Sequence, residues 1–250
     1  MSRATTSSTP LAVITGASGA LGAAIHALLA QQGWHAVVTY RTRPPSNKED
    51  TSTPGTRWVR FDGSTDDGTE ALREAVAQHP GRLQAVFACI GAPSTKRFIT
   101  DTPTAEFEAV HQANTLSFIR TWHAVAERAR TDAASLLAIG SDAGRAARPG
   151  NGPYTAAKAA LEAVILTLAK EEHPHGVRAN LVAPSLIDSP LAQQVLKLKG
   201  VTDQDRYYTE LPWGRPLSLD EVARVCIDLA TARHWRYATG QIYPLLAATG

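Results

Sequence analysis

The sequence has little cysteine and no pattern typical of metal ligands. Its two cysteines, Cys89 and Cys226, lie in a predicted strand and a predicted helix, which is typical of small buried side chains and not of a disulfide or a metal pair. The eight histidines show no metal-ligand spacing. We therefore expect neither a disulfide framework nor a metal site, and a reducing, cytoplasmic location.

Long apolar runs and clusters of like charge are also missing. No stretch is long and apolar enough to span a membrane, and residues 1–10, rich in Ser and Thr, lack the apolar core of a signal peptide. We expect this N-terminal segment to be flexible. The formal net charge of +2 is spread along the chain without basic runs, which argues against nucleic-acid or membrane partners.

Short apolar runs alternate with helical stretches along residues 11–250. With 250 residues and 44% hydrophobic content, the chain can bury one α/β core, and no change in composition suggests a second domain. The alternation predicts a single-domain, Rossmann-like, doubly wound parallel sheet of about seven strands with helices on both faces. The strands are expected at 12–15, 36–40, 57–61, 85–88, 135–139, 178–183 and 241–245.

The strongest functional pattern joins Ser141, Tyr154 and Lys158. A loop rich in Gly and Pro gives way to a helix-favouring stretch at 155–172, so the tyrosine and lysine are expected on one helical face. A neighbouring ammonium favours phenolate, and lowering the pKa of Tyr154 by about three units takes roughly 4 kcal/mol. Ser141 would then hydrogen-bond a substrate oxygen while Tyr154 gives or takes its proton.

For an isolated Tyr-x-x-x-Lys pattern, a plainer interpretation is an interfacial aromatic and a solvated lysine. A second motif argues against it. An apolar run at 11–15 ends in Thr15-Gly-Ala-Ser-Gly-Ala-Leu-Gly22, and an Ala-rich amphipathic stretch follows to Gln32. A strand, a glycine turn and a helix in this order bind a pyrophosphate through backbone amides and the positive helix end.

The next apolar run, 34–40, ends at Arg41, with Arg43 close behind. Dinucleotide folds that prefer NAD usually present an acidic residue here, whereas an arginine can pair with a 2′-phosphate. We therefore expect NADP(H) as the cofactor. The alternative, that both arginines are ordinary surface charges, stays open.

Together these motifs resemble the classical short-chain dehydrogenase/reductase family over essentially the whole chain after residue 10. The turn at 15–22 is similar to the family's Thr-Gly-x-x-x-Gly-x-Gly motif, and Ser141, Tyr154 and Lys158 match three catalytic residues. The resemblance implies that Asn114 is the fourth, holding a water in a proton relay to the lysine. It also implies cofactor contacts at Gly16, Ser18, Gly19, Ala20, Leu21, Gly22, Tyr40, Arg41, Asp62, Gly91, Tyr154, Lys158, Pro184, Ile187 and Ser189.

Several positions depart from the family pattern. Ala20 stands where the family has its middle glycine, and Ala88-Cys89-Ile90 replaces Asn-Asn-Ala before Gly91. Pro184-Ser185 replaces Pro-Gly, and the C-terminus lacks the common Asp-Gly-Gly. None of these changes removes a catalytic group, so they concern cofactor affinity and subgrouping. Within the family, the sequence resembles the 3-oxoacyl carrier-protein reductases and the polyketide ketoreductases.

The resemblance also implies a substrate lid and an oligomer. Residues 188–217 would form the lid, and the helical stretches 104–130 and 155–172 would pair subunits into a tetramer or dimer. Arg145 and Arg148 are either exposed loop residues or contacts for an anionic substrate or a phosphopantetheine. Residues 42–56, with three prolines, predict a loop or a single turn. Five apolar or aromatic residues of the lid have two possible roles. They either form an apolar roof over a large or carrier-bound ketone, or they only pack helices together: Leu191, Val195, Leu198, Tyr208 and Trp213.

The expected activity is NADPH-dependent reduction of a small-molecule or carrier-bound ketone, with the proton from Tyr154, in specialised metabolism. One alternative on the same four residues is alcohol oxidation, dehydration or isomerisation. A second alternative is a regulator that senses NADP(H) without turnover. The sequence leaves the identity of the ketone open, because that depends on the shape of the lid.

Overall fold

The computed structural model describes residues 9–43, 53–211 and 213–246, and its centre is one sheet of seven parallel strands. The strand order is β3-β2-β1-β4-β5-β6-β7, which confirms the doubly wound, Rossmann-like prediction. The strands are β1 (Pro10–Thr15), β2 (His35–Tyr40), β3 (Thr56–Arg60), β4 (Arg82–Ala88), β5 (Ser135–Ile139), β6 (Arg178–Pro184) and β7 (Ile242–Leu245).

Helices connect the strands and cover both faces of the sheet. They are α1 (Ala20–Gln31), α2 (Thr69–Ala77), α3 (Thr104–His111), α4 (Ser117–Asp132), α5 (Ala143–Ala146), α6 (Gly152–Glu172), α7 (Pro190–Leu198), α8 (Gln204–Thr209) and α9 (Leu219–Thr231). Among the helices of the described ranges, none combines the length and apolarity that crossing a bilayer requires.

Two apolar layers hold the helices on the sheet. On one face, Ile25 and Leu29 of α1 and Val222 of α9 pack against β1, β2 and β4. On the other face, Phe118 of α4 and Ile165 of α6 pack against the same sheet. Because the inner strands are buried on both sides, they are apolar along most of their length and do not alternate, as in other parallel sheets. The edge strands β3 and β7 are more exposed.

The expected strands agree with the structure to within three residues at every end, but three other expectations need correction. The helical stretch 104–130 is interrupted by a π-helical turn at Gln112–Leu116. Helix α6 begins at Gly152, so Tyr154 lies in its first turn and not before it. Cys226 is buried, whereas Cys89 follows β4 and is partly exposed.

Two predictions concern residues that the structure leaves undescribed in part. The flexible segment 1–10 lies mostly outside the described residues. The loop expected at 42–56 includes residues 44–52, which also lie outside them, and β3 begins at Thr56.

Candidate functional site

The predicted site residues gather at one edge of the sheet, where the parallel strands end. The strand order reverses between β1 and β4, which opens a crevice at their carboxyl ends. The glycine turn follows β1, Gly91 follows β4, Ser141 follows β5 and Pro184 ends β6. The nucleotide motif and the proposed catalytic residues therefore lie on the same side of the molecule.

The glycine turn is tight because the backbone at Gly22 lies directly against the backbone of Gly16 and Ala17. Gly16 has a φ of +78° and donates through its amide to Thr39 Oγ1 at 2.9 Å. A side chain at Gly22 would place its Cβ 2.5 Å from the carbonyl oxygen of Gly16, closer than any real Cβ contact, so only glycine fits there. The turn delivers the chain directly into α1.

The first turn of α1 has the chemistry of an anion site. Its N-cap is Gly19, no side chain caps the helix, and the first turn holds no acidic residue. The amides of Ala20, Leu21 and Gly22 have no acceptor inside the helix, as at every helix start. Together with the positive end of the helix dipole, these amides fit the pyrophosphate of a dinucleotide. Ala20 is compatible with this arrangement, since it is the first residue of the helix itself.

At the far end of the same crevice lie Tyr40, Arg41 and Asp62. Arg41 is exposed, and its carbonyl oxygen accepts a hydrogen bond from Arg60 Nε at 3.3 Å. The Ser64 hydroxyl donates to Asp62 Oδ1 at 2.6 Å and is the largest cause that lowers the pKa of Asp62, to which Arg41 and Arg60 add. Asp62 is therefore ionised at neutral pH, and an exposed guanidinium stands next to it.

Lys158 and Tyr154 lie on one face of α6, one turn apart. Lys158 Nζ is 5.6 Å from the centroid of the Tyr154 ring and donates to the carbonyl oxygen of Ile139 at 2.9 Å. Ser141 Oγ accepts from the amide of Ala143 at 3.2 Å, and its hydroxyl is hydrogen-bonded toward the Tyr154 phenol. The three side chains predicted from the sequence thus share one pocket wall.

The protonation of this group differs from the expectation. Burial raises the pKa of Tyr154 to about 12, the Asp142 carboxylate adds to the rise, and the Ser141 hydrogen bond opposes it. Burial also lowers the pKa of Lys158 to about 8. The prediction that the ammonium would lower the tyrosine pKa allowed for desolvation of the lysine but not of the phenol, and burial disfavours both charged forms. At neutral pH the pair is a neutral phenol beside an ammonium.

Asn114 is held deep inside the π-helical turn. Its side-chain amide donates to the carbonyl oxygens of Val110 and Ala92 at 2.8 and 2.9 Å. A Cβ added at Gly91 would lie 3.0 Å from Asn114 Oδ1 and 3.5 Å from Lys158 Nζ. The asparagine and the lysine therefore flank the same point, as the relay suggested by the resemblance requires.

The segment after β6 closes the crevice from a third side. The carbonyl oxygen of Pro184 accepts from the amide of Asp142 at 3.1 Å, and Ile187 forms a short parallel bridge with Leu217. Ser189 is the N-cap of α7, and its hydroxyl oxygen accepts from the Ala192 amide at 3.2 Å. This segment leads into α7 and α8 over the expected lid range.

The lid residues are only partly packed. Trp213 is 72% exposed, and Leu191 and Leu198 on α7 are 41% and 43% exposed. The hydroxyl of Tyr208 on α8 contacts Asp188 Oδ1 at 3.4 Å. Three of the five residues proposed as an apolar roof therefore present partly uncovered apolar surface.

Two contacts near the site were not predicted from the sequence, namely Asp142 with Arg148 and Lys96 with Asn151. Arg148 Nη2 donates to Asp142 Oδ2 at 2.6 Å, whereas Arg145 pairs with Glu162 at 2.9 Å and points elsewhere. Lys96, in the loop after β4, has a φ of +69°, and its ammonium donates to Asn151 Oδ1. No local sequence pattern predicts a left-handed backbone at a lysine, so this conformation is seen only in the structure.

Comparisons with known proteins indicate one family and one fold. A family model described as enoyl-(acyl carrier protein) reductase matches residues 16–245. The granaticin polyketide synthase ketoacyl reductase 2 of Streptomyces violaceoruber is 28% identical, with 93% of each chain covered. Carbonyl reductase family member 4 of Danio rerio is 27% identical over 93% of this chain and 94% of its own. The solved structure of ElxO with NADP bound has a TM-score of 0.83 at 19% identity, covering 95% of this chain and 97% of its own.

Proposed function

The chain belongs to the short-chain dehydrogenase/reductase family of oxidoreductases, and we infer that it reduces a ketone to an alcohol with NADPH, using Tyr154 as the proton donor. The observation that carries this proposal is the grouping of Ser141, Tyr154, Lys158 and Asn114 around one crevice. The raised pKa of Tyr154 favours reduction over oxidation as the direction of the reaction. A phenol with a pKa of about 12 is fully protonated at neutral pH, which is the state that a reduction needs.

Ser141 orients the substrate oxygen in this proposal. Ser141 Oγ accepts a hydrogen bond from the Ala143 amide, and its hydroxyl faces both Asp142 Oδ1, at 3.4 Å, and the Tyr154 phenol. A carbonyl oxygen in the crevice is a better acceptor at a shorter distance. Its hydrogen bonds from Ser141 and Tyr154 stabilise the negative charge that develops as the carbonyl is reduced.

Lys158 and Asn114 return a proton to Tyr154. With a pKa of about 8, Lys158 is mostly an ammonium at neutral pH and can release a proton more readily than an exposed lysine. Asn114 is fixed by two hydrogen bonds beside Lys158 Nζ, so it can hold a water that links the ammonium to solvent.

The residues at the crevice fit a dinucleotide. The amides of Ala20, Leu21 and Gly22 would hold the pyrophosphate, Asp62 the adenine, and the backbone near Ile187 the carboxamide. The exposed guanidinium of Arg41 would pair with a 2′-phosphate, and this favours NADPH over NADH. Bound NADPH supplies the hydride that reduces the carbonyl carbon.

Activity with a panel of ketones tests the proposal. Oxidation of NADPH followed at its absorbance band should require a ketone and should be lost, by at least about 1000-fold, in Tyr154→Phe. Phenylalanine keeps the ring against Lys158 and removes only the hydroxyl, so folding is preserved. Full activity of Tyr154→Phe, or no oxidation with any ketone, would contradict the assignment.

Two features suggest the setting of this activity. The similarity to a granaticin polyketide synthase reductase supports a role in specialised metabolism. A groove between α4 and α6 is lined by apolar residues such as Ile119 and Val164 and by the polar His123, Thr167 and Glu171. It supports pairing of these helices in a homo-oligomer, a tetramer or a dimer. Val164→Asp should reduce the mass measured in solution to that of a monomer.

A further inference from the structure

Three basic side chains from separate segments converge beside the catalytic serine. Lys96 lies in the loop after β4, Arg148 in the loop before α6, and Lys199 directly after α7. We call these three residues the cationic rim. Arg148 contacts the carboxylate of Asp142 at 2.6 Å, and the other oxygen of that carboxylate is 3.4 Å from Ser141 Oγ. One carboxylate therefore separates the rim from the group that would bind the substrate oxygen.

Direct contacts join the segments that carry the rim. The Lys96 ammonium donates to Asn151, the residue before α6, and a Cβ added at Gly150 would lie 3.0 Å from the Lys96 carbonyl oxygen. Lys199 Nζ donates to Tyr207 Oη at 3.1 Å. Burial, and then the charges of Lys199 and Arg148, lower the pKa of Lys96. Lys96 is thus close enough to Lys199 and to Arg148 to be repelled by both.

The positive charge of the rim is not balanced within the described part of the chain. Asp142 is committed to Arg148, and the salt bridges of the described residues give neither Lys96 nor Lys199 a carboxylate partner. Lys96 is partly buried, so its charge is only partly hydrated. Like charges in a partly desolvated position are unfavourable until an anion joins them.

Backbone strain marks the loop that carries Lys96. Among the described residues, three that are not glycine have a positive φ: Lys96, Ala147 and Ala133. Ala133 ends α4 as an ordinary helix cap. Ala147 likewise caps α5, so among the described non-glycine residues only Lys96 has a left-handed backbone away from a helix end. Strained residues of this kind cluster at ligand clamps.

We propose that the cationic rim binds an anionic group, a carboxylate or a phosphate, carried by the carbonyl substrate itself. This inference rests on the proposed function and names the substrate class of that site. The anion lies close to the reacting carbonyl because Arg148 is next to Asp142 and Ser141. Lys199 follows α7 in the lid, so lid and loops together enclose the anion.

The test compares matched ketones that differ in one charge. NADPH-dependent reduction is measured for 4-oxopentanoate against its primary amide, and for dihydroxyacetone phosphate against dihydroxyacetone. The wild-type protein should favour the anion of at least one pair by about tenfold or more in kcat/KM. Lys96→Gln and Lys199→Gln should each reduce that preference by about threefold to tenfold, as expected for a charge-assisted hydrogen bond. The pair that shows the preference identifies the anion.

The exposed Lys197, in the last turn of α7 and two residues before Lys199, provides a matched control. Lys197→Gln removes an equal charge and should keep the preference. An equal loss in Lys197→Gln would show a general field effect and would overturn the rim as a site. A preference seen only for a phosphopantetheine thioester over its dephosphorylated form would also overturn it, because the anion would then belong to a carrier.

A binding measurement separates this inference from the proposed function. If the protein reduces no ketone of either charge, the proposed function fails. Calorimetric titration of the NADP⁺-saturated protein with 4-oxopentanoate and with dihydroxyacetone phosphate then still tests the rim. Binding heat that decreases in Lys96→Gln and is unchanged in Lys197→Gln supports the anion site. Absence of binding heat in the wild-type protein refutes it.

Discussion

Asp142, the residue after Ser141, forms an ion pair of 2.6 Å with Arg148. The Asp142 carboxylate is mostly buried, whereas the Arg148 side chain is half exposed. The negative charge of Asp142 stabilises the neutral phenol of Tyr154 and so helps to raise its pKa. The guanidinium offsets part of that charge. The pair therefore sets how strongly Tyr154 holds its proton.

Removal of either charge should shift the pH dependence of the reaction in opposite directions. In alcohol oxidation Tyr154 accepts a proton, so the rising limb of kcat/KM against pH reports its deprotonation. Asp142→Asn lowers the tyrosine pKa and should move this limb down by about 0.5–1 pH unit, whereas Arg148→Gln should move it up. Asp142→Glu, which keeps the charge, is the control. If Asp142→Asn and Arg148→Gln shift the rising limb of kcat/KM in the same direction, this account is contradicted.

Lys158 should reduce the stability of the protein while it serves the reaction. Its pKa is about 8 in the folded protein and 10.5 ordinarily, a difference equivalent to about 3 kcal/mol. Below pH 8 the folded state bears the full cost of the buried ammonium. Between pH 8 and 10.5 the cost falls, because only the unfolded state still binds the proton.

Lys158→Met removes that charge and keeps the apolar stem. We expect it to raise the free energy of unfolding at pH 7 by about 1–3 kcal/mol, with part of the gain offset by the lost hydrogen bond to Ile139. The gain should shrink toward pH 10, and catalysis should be lost. Denaturant titrations at pH 7 and pH 10 measure the free energy of unfolding of both proteins. A variant less stable than wild type at pH 7 would show that the buried ammonium does not destabilise the folded state.

The sequence predicted the sheet well because each buried parallel strand leaves a short apolar run that needs no tertiary information. It also placed Ser141, Tyr154 and Lys158 on neighbouring elements, since their spacing follows from one strand end and one helix turn. It could not predict the π-helical turn around Asn114 or the left-handed backbone of Lys96. Both depend on contacts between distant segments. The pKa of Tyr154 was missed for the same reason, as burial is a property of the folded pocket.

The glycine turn offers a steric test. Gly22→Ala would place a Cβ 2.5 Å from one backbone atom and 2.8 Å from another, so the turn must move away from the position that binds pyrophosphate. We expect cofactor affinity to fall by about tenfold or more. Gly19→Ala, whose Cβ would lie 3.2 Å from the nearest atom, should have a smaller effect. Titration of NADPH fluorescence measures both, and equal affinities for Gly22→Ala and wild type would rule out this role.

Arg41 should determine the choice between the two nicotinamide cofactors. Arg41→Ala removes the partner of the 2′-phosphate, so the KM for NADPH should rise about tenfold to 100-fold while that for NADH changes little. Arg57→Gln is a suitable control, because Arg57 is exposed at the amino end of β3, whereas Arg41 follows the carboxyl end of the neighbouring β2. A similar rise for both cofactors, or none for NADPH, would show that Arg41 is an ordinary surface charge.

The most direct test of the central claim is the fate of the transferred hydrogen. NADPH labelled with deuterium at the transferable position of its nicotinamide is incubated with a ketone that the protein consumes, and the product is analysed by mass spectrometry and NMR. We predict one deuterium on the carbinol carbon for each NADPH oxidised, with none transferred by Tyr154→Phe. A product formed without deuterium while NADPH stays reduced would mean isomerisation or dehydration, and it would contradict ketone reduction by this chain.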